Sequence, residues 1–152
     1  MLLLAAALLL QTAPAESWRV YAGDYTMWSA MDTLSVRRDG PLSRFRSVTA
    51  GLKGTLDGGN GRRFAYIVAD TEYDCAAGTS RMTHGAFYDA RGVLLWEQDI
   101  DVPARASAGN SNYVFFALAA CREGARQPDP QGKASVGDFL AMGAFDWMRT
   151  AP

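Results

Sequence analysis

Residues 79–88 and 93–100 flank the connection Asp89-Ala90-Arg91-Gly92, and this unit constrains the chain more than any other. Asp89 can bond its own backbone, and Gly92 can take the left-handed position that follows a type I turn. Two extended flanks joined so tightly run antiparallel. A hairpin here makes the expected fold class mainly β within α+β, with about six to eight antiparallel strands and a C-terminal amphipathic helix.

Other segments supply the remaining strands. Residues 17–22 alternate Trp18 and Val20 against Arg19 and Tyr21, and residues 25–31 read as a second extended piece after the break at Asp24. Arg38-Asp39-Gly40-Pro41 is a turn signal. Residues 42–50 alternate, but neither side is purely apolar, which predicts an edge or a solvated side. The glycine-rich residues 51–61 read as a loop; a phosphate-cradling role is not supported, since the Lys-Ser/Thr ending of such loops is absent. Residues 63–69 read as one buried or half-buried strand. Residues 113–121, YVFFALAAC, form the most apolar stretch after the N-terminal run and read as a central strand, with an Ala-rich end that also suits helix.

The N-terminal apolar run of residues 2–10 leads into Ala13-Pro14-Ala15, small residues of the kind a signal peptidase reads. Residues 1–15 are expected to be a signal peptide cut between Ala15 and Glu16, although no basic residue precedes the run. A run of about ten residues is too short to span a bilayer, so no membrane span is expected. Glu16 stands where a lipoprotein would carry cysteine, so no lipid anchor is expected either. The organisation predicted is a β-domain over 16–122, a linker over 123–134 with Pro128 and Pro130, and a helix over 135–149 docked on the same domain. Ser135 and Asp138 provide its capping signal, and Val136, Phe139, Leu140, Gly143 and Trp147 its apolar face.

Cys75 and Cys121 are the whole cysteine inventory. Export would place them in an oxidising compartment, where one disulfide is the natural expectation and two buried thiols the competing one. Closing a loop of about 46 residues contributes about 4 kcal/mol on chain-entropy reasoning. Neither cysteine has a Cys or His at ligand spacing, so no metal and no other cofactor is expected. A formal net charge of −1 gives no reason to expect nucleic acid.

Chemistry-bearing residues are few. His84 is the only histidine, and no serine or thiol can be paired with it from the sequence. Asp70, Glu72 and Asp74 share one strand face, as do Glu97, Asp99 and Asp101. Such rows could hold calcium or act as an acid/base pair, but the spacing is that of a solvated strand. Arg37, Arg38, Arg44, Arg46, Arg62 and Arg63 crowd the first half, and Arg44, Arg46, Arg62 and Arg63 are the candidate basic patch for polyanions or acidic protein surfaces. Trp28, Tyr66, Phe87, Trp96 and Phe115 could line a cavity or simply fill a core. No catalytic residue is assigned.

One resemblance runs through these positions. Trp18, Met31-Asp32-x-x-Ser35-Val36-Arg37-Arg38-x-Gly40, Tyr73-Asp74-Cys75, Arg81, Tyr88-Asp89-x-x-Gly92 and Cys121 occur in an order that resembles the surface-adhesin protein E family of bacterial envelope proteins. The resemblance implies a barrel-like antiparallel sheet with helical decoration, a disulfide, and no enzymatic activity. The expected function is a non-enzymatic exported envelope protein, a binding or structural module acting through contacts with a protein partner. The alternative is a periplasmic small-ligand carrier with a cavity in the barrel.

Overall fold

The structure is a computed structural model and describes residues 16–23, 27–51, 56–59, 61–106, 119–122, 135–138 and 140–141. Ten strands follow in chain order: β1 (Trp18–Gly23), β2 (Met27–Asp32), β3 (Arg37–Asp39), β4 (Leu42–Gly51), β5 (Leu56–Asp57), β6 (Arg63–Phe64), β7 (Tyr66–Asp74), β8 (Thr79–Tyr88), β9 (Leu94–Asp99) and β10 (Arg105–Ala106). Eight of them build one sheet in the order β1-β2-β4-β7-β8-β10, with β3 also on β4 and β9 also on β8; β5 and β6 pair separately. Every ladder is antiparallel. The mainly antiparallel β class is therefore present.

The barrel is not. Among the described residues, β1 pairs only with β2, and β9 and β10 pair only with β8, so the sheet stays open. The predicted hairpin is β8–β9: Gly92 N–H donates to Asp89 O at 3.1 Å, and Gly92 takes the left-handed φ of 83° that the turn requires. Asp89 Oδ1 accepts from the backbone of Arg91 and Val93, each at 2.9 Å, which closes the connection.

β4 lies in the middle of the sheet rather than at an edge. It carries β2 and β3 on one side and β7 on the other. Its buried side chains are Ser43, Phe45, Ser47 and Val48, and the hydroxyls find partners. Ser47 Oγ and Thr71 Oγ1 lie 3.0 Å apart, as do Ser29 Oγ and Thr49 Oγ1, and Ser43 donates to Ala120 O at 3.0 Å. Satisfied hydroxyls bury at little cost, so a strand without a purely apolar side can sit at the centre.

One further expectation changes, and one open alternative is decided. Residues 63–69 are not one strand, because the bend at Ala65 separates β6 from β7. Of the two structures that the Ala-rich end suits, residues 119–121 take the helical one, and residues 113–118 lie outside the described residues. The helical turn still brings Cys121 to Cys75, and the disulfide is formed, with Cα atoms 5.7 Å apart.

Strand alternation gives the sheet two chemically different faces. One is a core face in two parts: Met31, Val36, Phe45 and Tyr73 pack under Ala119 and Ala120, and Phe64, Ile67, Ala69 and Phe87 form the other part with Trp96 and Ile100. Phe87 stacks on Trp96 at 4.5 Å between ring centroids. Gly85 sits in a tight place there, since a Cβ would meet the Cδ1 atoms of both Ile67 and Ile100 at 3.0 Å. The opposite face is divided along the strands. Its lower half is apolar: Trp18, Trp28, Ala30, Val48, Ala65 and Tyr66 pack with Val136 and Leu140. The upper half is charged. Ser135 caps the helical residues 136–138, accepting from Asp138 N–H at 3.0 Å. The proposed signal peptide, the linker, Phe115, Phe139 and Trp147 fall outside the described residues.

Candidate functional site

The charged half-face is built by register. β3, β4, β7 and β8 align Arg37, Arg44, Glu72 and Arg81 in one row, because Arg37 faces Arg44, Arg44 faces Glu72, and Glu72 faces Arg81. The neighbouring row places Arg46 opposite Asp70, Asp70 opposite His84, and His84 opposite Asp99. Side chains directly opposite have Cβ atoms about 5 Å apart, close enough to interact along each row.

Glu72 is the hub of the first row. Arg44 Nε donates to its Oε1 at 2.8 Å, and Arg81 donates to its Oε2 through Nε at 2.8 Å and a terminal nitrogen at 2.7 Å. The hydrogen bonds from Arg44 and Arg81 hold the Glu72 carboxyl below the usual carboxylate range, and the bond to Glu72 raises the Arg44 guanidinium. In the second row, Arg46 donates to Glu16 at 2.8 Å and lies over the Trp18 ring at 5.4 Å. Glu16 also accepts from Trp18 Nε1 at 2.8 Å. His84 Nδ1 lies 2.9 Å from Asp99 Oδ1, and this bond is the largest cause raising the His84 pKa above its ordinary value.

A cleft of about 900 Å³ opens over these rows, lined by Glu16, Asp32, Arg37, Arg44, Arg46 and Asp70 among others. Asp32 is buried and accepts backbone bonds from Ser17 at 2.9 Å and Leu34 at 3.1 Å, so its role is to pin the turn after β2.

The structure distributes the sequence-derived candidates as follows. Arg44 and Arg46 line the cleft, whereas Arg62 and Arg63 belong to the β5–β6 hairpin, with Arg62 over the Trp96 ring at 5.4 Å. Arg38 instead donates to the carbonyl of Cys121, tying the disulfide to β3. Asp70 and Glu72 share the cleft face, and Asp74 accepts backbone bonds from Ala76 and Ala77 in the following turn. Among the described residues no group of His, Cys, Asp and Glu is arranged to hold a metal ion. Trp28 and Tyr66 lie on the opposite sheet face from Phe87 and Trp96, so these four rings do not line one cavity.

Sequence reasoning missed three participants. Arg81 is an ordinary charged residue until register sets it opposite Glu72, and so is Glu16, just before β1, until the fold brings it to Arg46. The third is the outer edge of the sheet. Val93, Leu94 and Leu95 are 51%, 47% and 45% exposed, an apolar run at the start of a strand that pairs on one side only among the described residues. Three successive apolar residues directly after a turn were the available signal.

No family model, curated protein or solved structure matches this chain. Among the described residues no helix is long and apolar enough to cross a membrane.

Proposed function

We propose that this chain is a non-enzymatic exported envelope protein, a small binding module that acts through adhesin-like protein contacts. The observation that carries the reading is the β9 edge. Among the described residues β9 pairs on one side only, and such an edge, with Leu94 and Leu95 exposed on it and Val93 exposed just before it, is a hazard that folds ordinarily cover or charge. It also suits strand addition, in which an extended segment of a partner pairs with the free backbone. The Cys75–Cys121 disulfide supports an oxidising compartment. The order of short motifs, which resembles that of the surface-adhesin protein E family, supports the same class.

Affinity capture from envelope extract tests this reading. The native chain is expected to recover a discrete set of proteins that Leu94→Lys with Leu95→Lys loses while keeping its melting temperature. If only an unfolded Cys75→Ser control recovers proteins, the reading fails.

The cleft favours a second reading, a small-ligand carrier. Its volume lies within the range of small-molecule sites, but it opens on a sheet face rather than inside a barrel. A ligand that raises the melting temperature of the native chain while leaving protein capture unchanged would favour the carrier.

A further inference from the structure

We infer that Arg37, Arg44 and Arg46 form an oxyanion site within this cleft, suited to a small carboxylate or phosphate. The inference rests on the carrier reading and is independent of the β9 edge, so each can fail without the other.

The arrangement of donors carries it. Arg37 and Arg44 face each other across the β3–β4 ladder, and Arg46 follows on the same side of β4. Like charges placed directly opposite are unfavourable unless something compensates them. The local anchors of Arg37 are neutral: its terminal nitrogen donates to the carbonyls of Val36 at 3.3 Å and Leu34 at 3.5 Å. Arg44 is gripped by Glu72 through Nε alone, which leaves both terminal nitrogens without a hydrogen bond among the described residues. Glu16 holds Arg46 through one terminal nitrogen, while the Trp18 ring supports the guanidinium from below. Each arginine is thus fixed from behind with donors left over. A planar fork with free terminal nitrogens matches a carboxylate or phosphate in two-point contact.

The acidic residues of the cleft do not cancel this. Glu16 and Glu72 are engaged with arginines, and Asp32 is buried on backbone donors. Asp70 is different: it is exposed, faces Arg46 in register, and makes no side-chain hydrogen bond among the described residues. It gives the cleft a polarity, an anion-repelling side next to an anion-attracting one.

Titration calorimetry on the full chain with citrate, and separately with inorganic phosphate, at low salt tests the site and distinguishes the two oxyanion sources. Saturable one-site binding is expected for at least one probe. Arg44→Lys, which keeps charge but loses the fork, is expected to weaken it at least tenfold while the chain still unfolds cooperatively. Arg62→Ala with Arg63→Ala should leave it unchanged, and Asp70→Ala should strengthen it several-fold. Equal weakening by the Arg62/Arg63 pair would overturn the inference, as would weakening by Asp70→Ala. Binding of heparin without binding of either small anion would mark a polyanion surface and overturn it too.

Discussion

Arg44 and Glu72, facing each other across β4 and β7, are joined at 2.8 Å through Nε, with no hydrogen bond from the two terminal nitrogens among the described residues. Glu72 is thereby both a cross-strand tie and the support of the cleft's central cation. Glu72→Gln would leave Arg44 and Arg81 facing one another with a neutral amide between them. A loss of about 1–2 kcal/mol is expected, between the range of an exposed pair and that of charge-assisted hydrogen bonds. Urea denaturation at neutral pH measures it. Because the Glu72 pKa is lowered in the fold, its contribution is present above the unfolded value and is lost as pH falls through the folded one. The difference between wild type and Glu72→Gln should therefore shrink on acidification, and a difference that persists in strong acid would refute the assignment.

His84 tests the other row with the opposite sign. Its pKa is raised by the Asp99 bond, so its contribution is present below the unfolded value and is lost as pH rises through the folded one. The imidazole titration followed by NMR should move downward in Asp99→Asn. An unmoved midpoint would show that β9 does not hold His84 in solution.

The disulfide closes a loop of 46 residues. Replacing both cysteines with serine is expected to cost about 4 kcal/mol, the loop-entropy value. Comparison of denaturation midpoints with and without reductant checks this on the unaltered chain. Retention of full stability after complete reduction would contradict it.

Gly85→Val places branched carbon where Ile67, Ile100 and Phe87 already converge, with contacts of 3.0, 3.0 and 3.1 Å for the first added atom alone. Overpacking of this kind costs about 1–3 kcal/mol. A thermal shift should detect it, with Ala86→Val as the control on the opposite face.

Legibility followed the range of the interactions. The β8–β9 hairpin was readable because its turn chemistry lies within four residues, and β1 and β2 because their extended patterns are local. Of the two readings of β4, the solvated side holds, with Arg44 exposed, and the edge does not; Ser43 and Ser47 look solvent-facing until their hydroxyl partners, Ala120 and Thr71, are known. The helical end at residues 119–121 was hidden by alanines that suit either structure. The cleft was only half visible. Arg44 and Glu72 are 28 positions apart, and which carboxylate meets which arginine depends on register, which a single strand's pattern does not encode. For the aromatics the core reading holds, with Trp28, Tyr66 and Phe87 buried, but which face each ring takes depends on the same register.

The Cys75–Cys121 bond has a topological consequence. It turns everything between those cysteines into one covalent ring, and β8, β9 and β10 all lie on that ring. A protease that cuts once within residues 101–104, which are exposed, would open the ring without releasing a fragment. The nicked protein would gain only the mass of one water until reductant freed its two halves. The outer edge of the sheet is thus tethered at both ends, so it could be severed once and still remain attached.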